Sequence, residues 1–327
     1  MTVLVTGASG LVGSHVVEAL IAHGEPVRAL VRPGSRAALG GGVDAVIGDV
    51  TDAAAWRTAA RGVRAIVHAA ALVQRRGTWE DYVAVNVDAT RLAVAAARAS
   101  GARLVHISSV AVYGGTAAYP RESERRDEDY PFQPIAERDF YGRTKRMAEA
   151  VVREGAARRE VVAVALRPTV IYGERDRLFT PRLLRALRLR CVPQIGPGTN
   201  RLSCVYAGNV AAAAVAALDA PIQEFRAYNI TSDGAPALSQ REFFGAFAAA
   251  LGRTYRPIPV PRPLARLVIG LFTARRLARA AVGFLSGDNP YVDERAGREL
   301  GWAPPTPAPR AIARTAAWFL ANEKPGR

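Results

Sequence analysis

Lysine is almost absent from this chain of 327 residues. Lysine and arginine together number 44, but the printed sequence holds only two lysines, Lys145 and Lys324, and every other basic side chain is arginine. Lys324 lies in the terminal tail. Lys145 stands four residues after Tyr141, so a helix would place both side chains on one face. Because lysine can lose its charge and rotate its three donors, as arginine cannot, the retained lysine indicates a chemical role.

The spacing of Tyr141 and Lys145 predicts a proton-transfer pair. An ammonium group beside a phenol favours the phenolate, so we expect Lys145 to lower the pKa of Tyr141 toward neutrality. A phenol with such a pKa suits general acid–base catalysis near pH 7. The alternative is a tyrosine and a lysine that are merely neighbours on the surface.

Cysteine and long apolar runs are also scarce. Two cysteines, Cys191 and Cys204, cannot build a disulfide framework, so we expect a reducing, cytoplasmic location. No charged leader precedes an apolar run at the amino terminus, and no uninterrupted apolar run reaches the ~18 residues of a membrane span. We therefore predict neither a signal peptide nor a spanning helix.

The chain has a formal net charge of +15. Such a charge is compatible with nucleic acid, anionic lipid or an anionic cofactor as partner. The arginines are spread along the chain, and no basic stripe with interleaved aromatic residues is present. We therefore expect a small-molecule substrate and no nucleic-acid partner. We also predict no bound metal ion.

A glycine loop begins the chain. The apolar strand predicted over residues 2–6 is followed by Gly7, Gly10 and Gly13, and then by a helix over residues 14–22. The glycines permit a tight turn, close approach of a pyrophosphate and close helix–strand packing. The helix amino terminus then faces the phosphates with its partial positive charge. This arrangement favours a dinucleotide site over a plain turn.

The end of the second strand, Val27–Val31, indicates which cofactor is used. Proteins that prefer NAD usually place an acidic residue here to hold the ribose 2′-hydroxyl. Val31 cannot accept such a hydrogen bond, and Arg32 can pair with a 2′-phosphate. We therefore predict NADP(H) as the preferred cofactor, with NAD(H) as the alternative if Arg32 is an ordinary surface residue. Asp49, after the third strand, can accept from the adenine amino group.

Strands and helices alternate up to about residue 170, which predicts an α/β fold with a parallel, doubly wound Rossmann-type sheet. We assign residues 1–170 to this dinucleotide-binding domain and 171–327 mainly to a smaller substrate lobe, with later segments free to return to the sheet. The fifth strand ends in Ser108 and Ser109, which should face the same crevice as the glycine loop. We expect His68, at the end of the fourth strand, to be structural.

Six motifs occur in a fixed order along the chain. They are Thr6-Gly-x-x-Gly-x-x-Gly13, His68-Ala-Ala, Asn86-Val-x-x-Thr90, Ser108-Ser109 with Tyr113-Gly114, Tyr141-x-x-x-Lys145, and Arg167-Pro with Tyr172-Gly173. As a set they resemble the extended short-chain dehydrogenase/reductase family, which includes the NAD-dependent epimerase/dehydratase enzymes. The resemblance covers residues 2 to about 320.

The resemblance implies a role for each matching residue. Tyr141 would be the general acid/base, Lys145 its electrostatic partner and a ribose ligand, and Ser109 the hydrogen-bond donor to the substrate oxygen, with Ser108 as the neighbour that could be confused with it. Asn86 would support the site. The implied reaction is hydride transfer between a ketone and a secondary alcohol. The implied cofactor contacts come from Gly7, Ser9, Gly10, Leu11, Val12, Gly13, Arg32, Asp49, Val50, Ala69, Ala70, Ala71, Asn86, Lys145, Pro168 and Val170.

Residues 31–35, Val-Arg-Pro-Gly-Ser, are similar to the NADP-using branch that contains dihydroflavonol reductases and 3β-hydroxysteroid dehydrogenases. This implies a small lipophilic substrate. Nucleotide-sugar epimerases and dehydratases remain an alternative, although their diphosphate-pairing arginine is replaced by Leu202, with Arg201 beside it. A regulator that binds NADP(H) without chemistry is a further alternative, disfavoured because Tyr141 and Lys145 are both present.

Residues 264–285 are apolar but interrupted by four arginines. They predict a basic amphipathic helix that lies on an anionic membrane, covers a lipophilic pocket, or simply packs on the lobe. The family resemblance also implies a homodimer formed through helices over residues 80–97 and 141–155.

Overall fold

The structure is a computed structural model that describes residues 2–38, 40–73, 77–114, 125–189, 191–272 and 275–322. Its strands, in chain order, are β1 Thr2–Thr6, β2 Val27–Val31, β3 Val43–Ile47, β4 Val63–His68, β5 Arg103–Ile107, β6 Ala163–Pro168, β7 Val170–Tyr172, β8 Val192–Ile195, β9 Cys204–Tyr206, β10 Arg226–Ile230 and β11 Pro257–Val260.

The helices are α1 Leu11–Ala22, α2 Ala53–Ala59, α3 Trp79–Tyr82, α4 Ala89–Ser100, α5 Phe140–Ala157, α6 Thr180–Leu187, α7 Ala207–Asp219, α8 Gln240–Ala250, α9 Arg262–Phe272, α10 Arg275–Ser286, α11 Glu294–Leu300 and α12 Ala308–Asn322. A π-helical segment, Val83–Asp88, joins α3 to α4, so the single helix predicted over residues 80–97 has three parts. The side chains of Asp52 and Ser239 cap the amino termini of α2 and α8.

The main sheet has the order β10-β6-β5-β4-β1-β2-β3, and every pair is parallel. This is a doubly wound Rossmann arrangement, so the predicted fold class is confirmed. The chain changes direction across the sheet between β1 and β4, and a crevice opens at such a switch point beyond the carboxyl ends of the strands.

Alternating residues of the strands enter two separate cores. Val3 and Val5 of β1 face the core beneath α1, α7 and α11, whereas Leu4 faces the core beneath α2, α4 and α5. Both faces of a parallel sheet are covered in this way, which explains why its strands are apolar at almost every position.

A third core lies in the smaller lobe, where α6, α8 and α12 pack with β7, β8 and β9. Two segments from the second half of the chain return to the main sheet: β10 pairs with β6, and α7 packs against α1. The helix predicted over residues 264–285 is divided into α9 and α10. Among the described residues, no helix is both long enough and apolar enough to cross a bilayer.

Candidate active site

The glycine loop lies at the switch point, between β1 and α1. Gly7 has a φ of +67°, and a Cβ there would lie 2.8 Å from the Ala70 backbone nitrogen. A Cβ on Gly13 would lie 2.2 Å from the Gly7 carbonyl oxygen. Neither position can accept a side chain, because the loop packs directly on the backbone around it. The first turn of α1 contains no acidic residue and Gly10 provides no side-chain cap, so its backbone N–H groups suit an anion.

These features fit a dinucleotide pyrophosphate. Ser9, Leu11 and Val12 belong to the same turn and are partly exposed, and their contacts with a cofactor stay a prediction. The end of β4 forms the facing wall: the Ala69 N–H donates to the Thr6 carbonyl at 3.3 Å and the Ala70 N–H to Thr6 Oγ1 at 3.3 Å.

His68 holds this wall in place. Its Nδ1 is 2.8 Å from Thr6 Oγ1, and its Nε2 is 3.2 Å from Thr90 Oγ1. Burial, aided by the nearby Lys145 ammonium, lowers the pKa of His68 to about 3, so the ring is neutral. Both ring nitrogens are occupied by structural partners, which supports the prediction of a structural histidine.

Asn86 lies in the π-helical segment and joins the β4 loop to α5. Its Oδ1 accepts from the Leu72 N–H at 2.7 Å, and its Nδ2 donates to Thr144 Oγ1 at 3.0 Å. Because both ends of the buried amide are engaged by protein groups, the side chain positions neighbouring residues. This arrangement fits the supporting role expected for Asn86, and its direct cofactor contact stays a prediction.

Ser109 and Tyr141 meet at the carboxyl edge of the sheet. The Ser109 hydroxyl hydrogen-bonds the Tyr141 phenol, and it also accepts from the Ala111 N–H at 3.2 Å. Ser108 points the other way and donates to Glu149 Oε2 at 2.7 Å. The geometry therefore distinguishes the two serines: Ser109 borders the crevice with Tyr141, and Ser108 belongs to the core beneath it.

The expected lowering of the Tyr141 pKa is wrong for this structure. Burial raises the pKa of Tyr141 to about 12, although the hydrogen bond from Ser109 acts in the opposite direction. Lys145 Nζ donates to the Ile107 carbonyl at 2.6 Å, and burial lowers the pKa of Lys145 to about 8. Desolvation of the phenol thus leaves Tyr141 protonated at neutral pH.

A buried ion pair lies one turn beyond Lys145, and sequence reasoning missed it. Glu149 Oε2 accepts from Arg167 Nε at 3.0 Å, and the second carboxylate oxygen accepts from Arg167 Nη2. Arg167 Nη1 also donates to the Tyr113 hydroxyl at 2.7 Å and to the Glu128 carbonyl at 3.1 Å. The spacing of Lys145 and Glu149, four residues apart on one helix, was the available signal.

The adenosine end of the predicted site lies beyond β2 and β3. Arg32 is exposed directly after β2. Asp49 Oδ1 accepts from the N–H and hydroxyl of Thr51 at 3.0 and 2.9 Å, which closes the turn. The Val50 carbonyl accepts from Trp56 Nε1 at 2.7 Å. The adenine contact of Asp49 stays a prediction.

Pro168 ends β6 beside Ile230 of β10, and the Val170 N–H donates to the Ser203 carbonyl at 3.1 Å. Their implied contacts with a cofactor stay a prediction. The family resemblance implies that the substrate walls come from residues 72–82, 113–138 and the lobe after residue 170. Within the first two segments, residues 74–76 and 115–124 fall outside the described part of the chain.

Leu202 and Arg201, which lie where nucleotide-sugar enzymes carry an arginine for the diphosphate, point in different directions. Leu202 is buried in the core of the smaller lobe. The Arg201 guanidinium donates to the Ala237 carbonyl at 3.0 Å and to Glu242 at 3.1 Å, near the start of α8.

The fold and this crevice together define a nicotinamide-dependent enzyme of the extended short-chain dehydrogenase/reductase type. The chain belongs to the NAD dependent epimerase/dehydratase family, whose model matches residues 3–231. The family resemblance seen in the motifs is thereby confirmed.

Relatives of this chain include ketone reductases. A 2-alkyl-3-oxoalkanoate reductase of Stenotrophomonas maltophilia is 34% identical over 260 residues, 77% of this chain and 76% of that protein. A 4-hydroxy-2-methyl-3-oxo-4-farnesyl-3,4-dihydroquinoline-1-oxide ketoreductase of Stigmatella aurantiaca is 32% identical over 321 residues, 93% of this chain and 92% of that protein.

Among solved structures, MoeE5 in complex with UDP-glucuronic acid and NAD superposes with a TM-score of 0.75 at 26% identity, covering 99% of this chain and 100% of that one. Ketoreductases and sugar-nucleotide proteins thus both appear among the similar proteins, and the shared property is a nicotinamide-dependent oxidoreductase fold.

Proposed function

We propose that the protein is an NADP(H)-dependent reductase that converts a ketone on a small lipophilic molecule to a secondary alcohol. The observation that carries the proposal is the protonated Tyr141 phenol, hydrogen-bonded to Ser109 at the edge of the crevice. A phenol that keeps its proton at neutral pH is ready to donate it, which is the direction that ketone reduction needs.

In this mechanism the substrate carbonyl oxygen accepts hydrogen bonds from Tyr141 and Ser109. The chemistry supplied by a bound nicotinamide is hydride transfer to the carbonyl carbon. As negative charge develops on the oxygen, Tyr141 gives it the phenolic proton, so the C=O bond becomes H–C–O–H. The Lys145 ammonium, one helical turn away, stabilises the phenolate left on Tyr141. Solvent then returns a proton to Tyr141.

Arg32 supports the preference for NADP(H). It is exposed immediately after β2, where an NAD-specific site would carry an acidic residue, and a guanidinium forms strong charge-assisted hydrogen bonds with a phosphate. Arg32→Ala should raise the KM for NADPH at least about tenfold and change the KM for NADH little. Equal use of both cofactors by the unmodified enzyme would contradict this preference.

The lipophilic substrate is inferred from two observations. The two ketoreductase relatives carry alkyl or farnesyl groups in the names of their substrates. In this chain, Leu202 is buried where the sugar-nucleotide pattern has an arginine, and Arg201 is engaged at α8. The likeness to MoeE5 with UDP-glucuronic acid favours nucleotide-sugar chemistry as the second candidate.

A substrate screen separates the two candidates. NADPH oxidation is followed with alkyl 3-oxo compounds, ketosteroids and UDP-sugars, and sugar products are examined by chromatography. The proposal predicts cofactor consumption with the alkyl or steroid ketones. Epimerised UDP-sugar without net cofactor consumption would establish the second candidate instead.

A further inference from the structure

The outer side of α9 exposes a stripe of large apolar side chains. Leu264, Leu267, Val268 and Leu271 are 49%, 63%, 46% and 73% exposed, and their spacing of three and four residues places them on one helix face. We call this surface the α9 stripe. Ile258 of the adjacent β11 is also 52% exposed.

This concentration is unusual within the molecule. Eleven large apolar side chains are exposed among the described residues, and five of them fall between residues 258 and 271. Scattered exposed leucines need no explanation, but a contiguous apolar patch marks an interaction surface.

The inner side of the same helix holds it to the lobe. Ala265 is buried with Ile195 and Val282, and Ile269 packs against them. The Arg262 guanidinium donates to the Ser286 carbonyl at the end of α10. None of these contacts involves a side chain of the α9 stripe, so the stripe can be changed without removing them.

The segment of the chain that carries the α9 stripe has charged side chains of one sign. Between Glu242 and Asp288 the chain contains seven arginines and no acidic residue. Arg266 lies on α9 itself and is exposed, as are Arg253 and Arg256 beside β11. A segment that combines exposed leucines with arginine as its one charged residue type is complementary to an apolar layer bordered by negative charge.

We propose that α9 docks in the plane of an anionic phospholipid bilayer, with the α9 stripe inserted among the acyl chains and the neighbouring arginines at the phosphate groups. A second copy of the chain is a poorer occupant, because a two-fold interface would bring the same arginine-only segment against itself. Membrane contact, which the sequence suggested for residues 264–285 as a whole, is thereby assigned to one face of α9.

Docking on a bilayer would also explain how the enzyme obtains its substrate, and this part of the proposal rests on the proposed function. A lipophilic ketone dissolves in the bilayer, so an enzyme held at the surface would take its substrate from the membrane and not from water. Docking itself depends only on the α9 stripe and the arginines.

The test uses the full-length protein and sedimentation with phosphatidylcholine vesicles prepared with or without phosphatidylglycerol. The unmodified protein should sediment with the anionic vesicles, and added salt should weaken the binding. Leu267→Gln/Leu271→Gln should weaken it at least about tenfold. Ile21→Gln/Leu320→Gln, which changes two exposed apolar residues on α1 and α12, is the matched control and should bind like the unmodified protein.

Folding and chemistry are checked separately. Circular dichroism should show the same thermal transition for both double variants, and reduction of a short-chain, water-soluble ketone should be unchanged. Failure of the unmodified protein to bind anionic vesicles, or equal binding by Leu267→Gln/Leu271→Gln, would overturn the docking. Disruption of an oligomer by that variant, without vesicle binding, would assign the stripe to self-association. Vesicle binding without any ketone reduction would count against the proposed function alone.

Discussion

Glu149→Gln tests how much the buried ion pair between Glu149 and Arg167 contributes to the stability of the protein. The carboxylate of Glu149 and the guanidinium of Arg167 are 2% and 1% exposed, and they form two hydrogen bonds with each other. An amide at this position keeps the shape of the side chain but removes its charge. Arg167 would then keep its contacts to the Tyr113 hydroxyl and the Glu128 carbonyl, but its buried charge would lose its counterion.

Removing one member of a buried ion pair costs about 3–5 kcal/mol of unfolding free energy, because the remaining charge stays desolvated. The same carboxylate has an exposed partner, Arg153, at 3.5 Å. Loss of an exposed partner costs about 0–1 kcal/mol, so Arg153→Gln is the matched control. Replacing both buried partners, Glu149→Leu with Arg167→Met, should cost less than Glu149→Gln alone.

Urea denaturation followed by circular dichroism measures these differences. A second readout concerns Lys145, whose pKa the Glu149 charge raises against the effect of burial. Glu149→Gln should therefore shift the alkaline limb of the kcat profile to lower pH, and Arg153→Gln should not. Equal small losses of stability for both single variants would refute the assignment of a desolvated pair.

Two further predictions follow from the crevice. Burial lowers the pKa of Lys145 to about 8, so its charge is present below that pH and lost above it. The kcat for ketone reduction should therefore fall as the pH rises through about 8. A kcat that stays constant up to the ordinary pKa of a lysine side chain would contradict this. Gly13→Ala should abolish cofactor binding in a fluorescence titration, since its Cβ would lie 2.2 Å from the Gly7 carbonyl oxygen. Gly24→Ala, at a φ of +73° with no atom within 4 Å of the added Cβ, controls for backbone strain. Cofactor binding by Gly13→Ala with the affinity of the unmodified protein would contradict the prediction.

The fold could be predicted because its signals are local. The glycine spacing after β1 and the apolar strands depend on neighbours a few residues apart, and the caps Asp52 and Ser239 need only the next turn. Each of these features depends on residues that are close together in the sequence. The position of Ser109 at the sheet edge that carries the glycine loop also followed, since parallel strands end at one edge. Its partnership with Tyr141 was implied by the family resemblance alone.

What could not be predicted depends on contacts between distant segments. The pKa of Tyr141 follows from how far the folded chain shields the phenol from water, and the position of Lys145 follows from its hydrogen bond to the Ile107 carbonyl. No residue spacing encodes either feature. The pairing of Glu149 with Arg167 joins a helix to a strand.

Turnover of Tyr141→Phe tests the central claim most directly. Removing the hydroxyl takes away the proposed proton donor and its hydrogen bond with Ser109 but leaves the ring in place. With the ketone identified by the substrate screen, kcat should fall by about 10²–10⁴-fold, while NADPH affinity and unfolding free energy stay unchanged. Tyr255→Phe, a partly buried tyrosine of the smaller lobe, should keep normal turnover. Undiminished turnover by Tyr141→Phe would contradict the account.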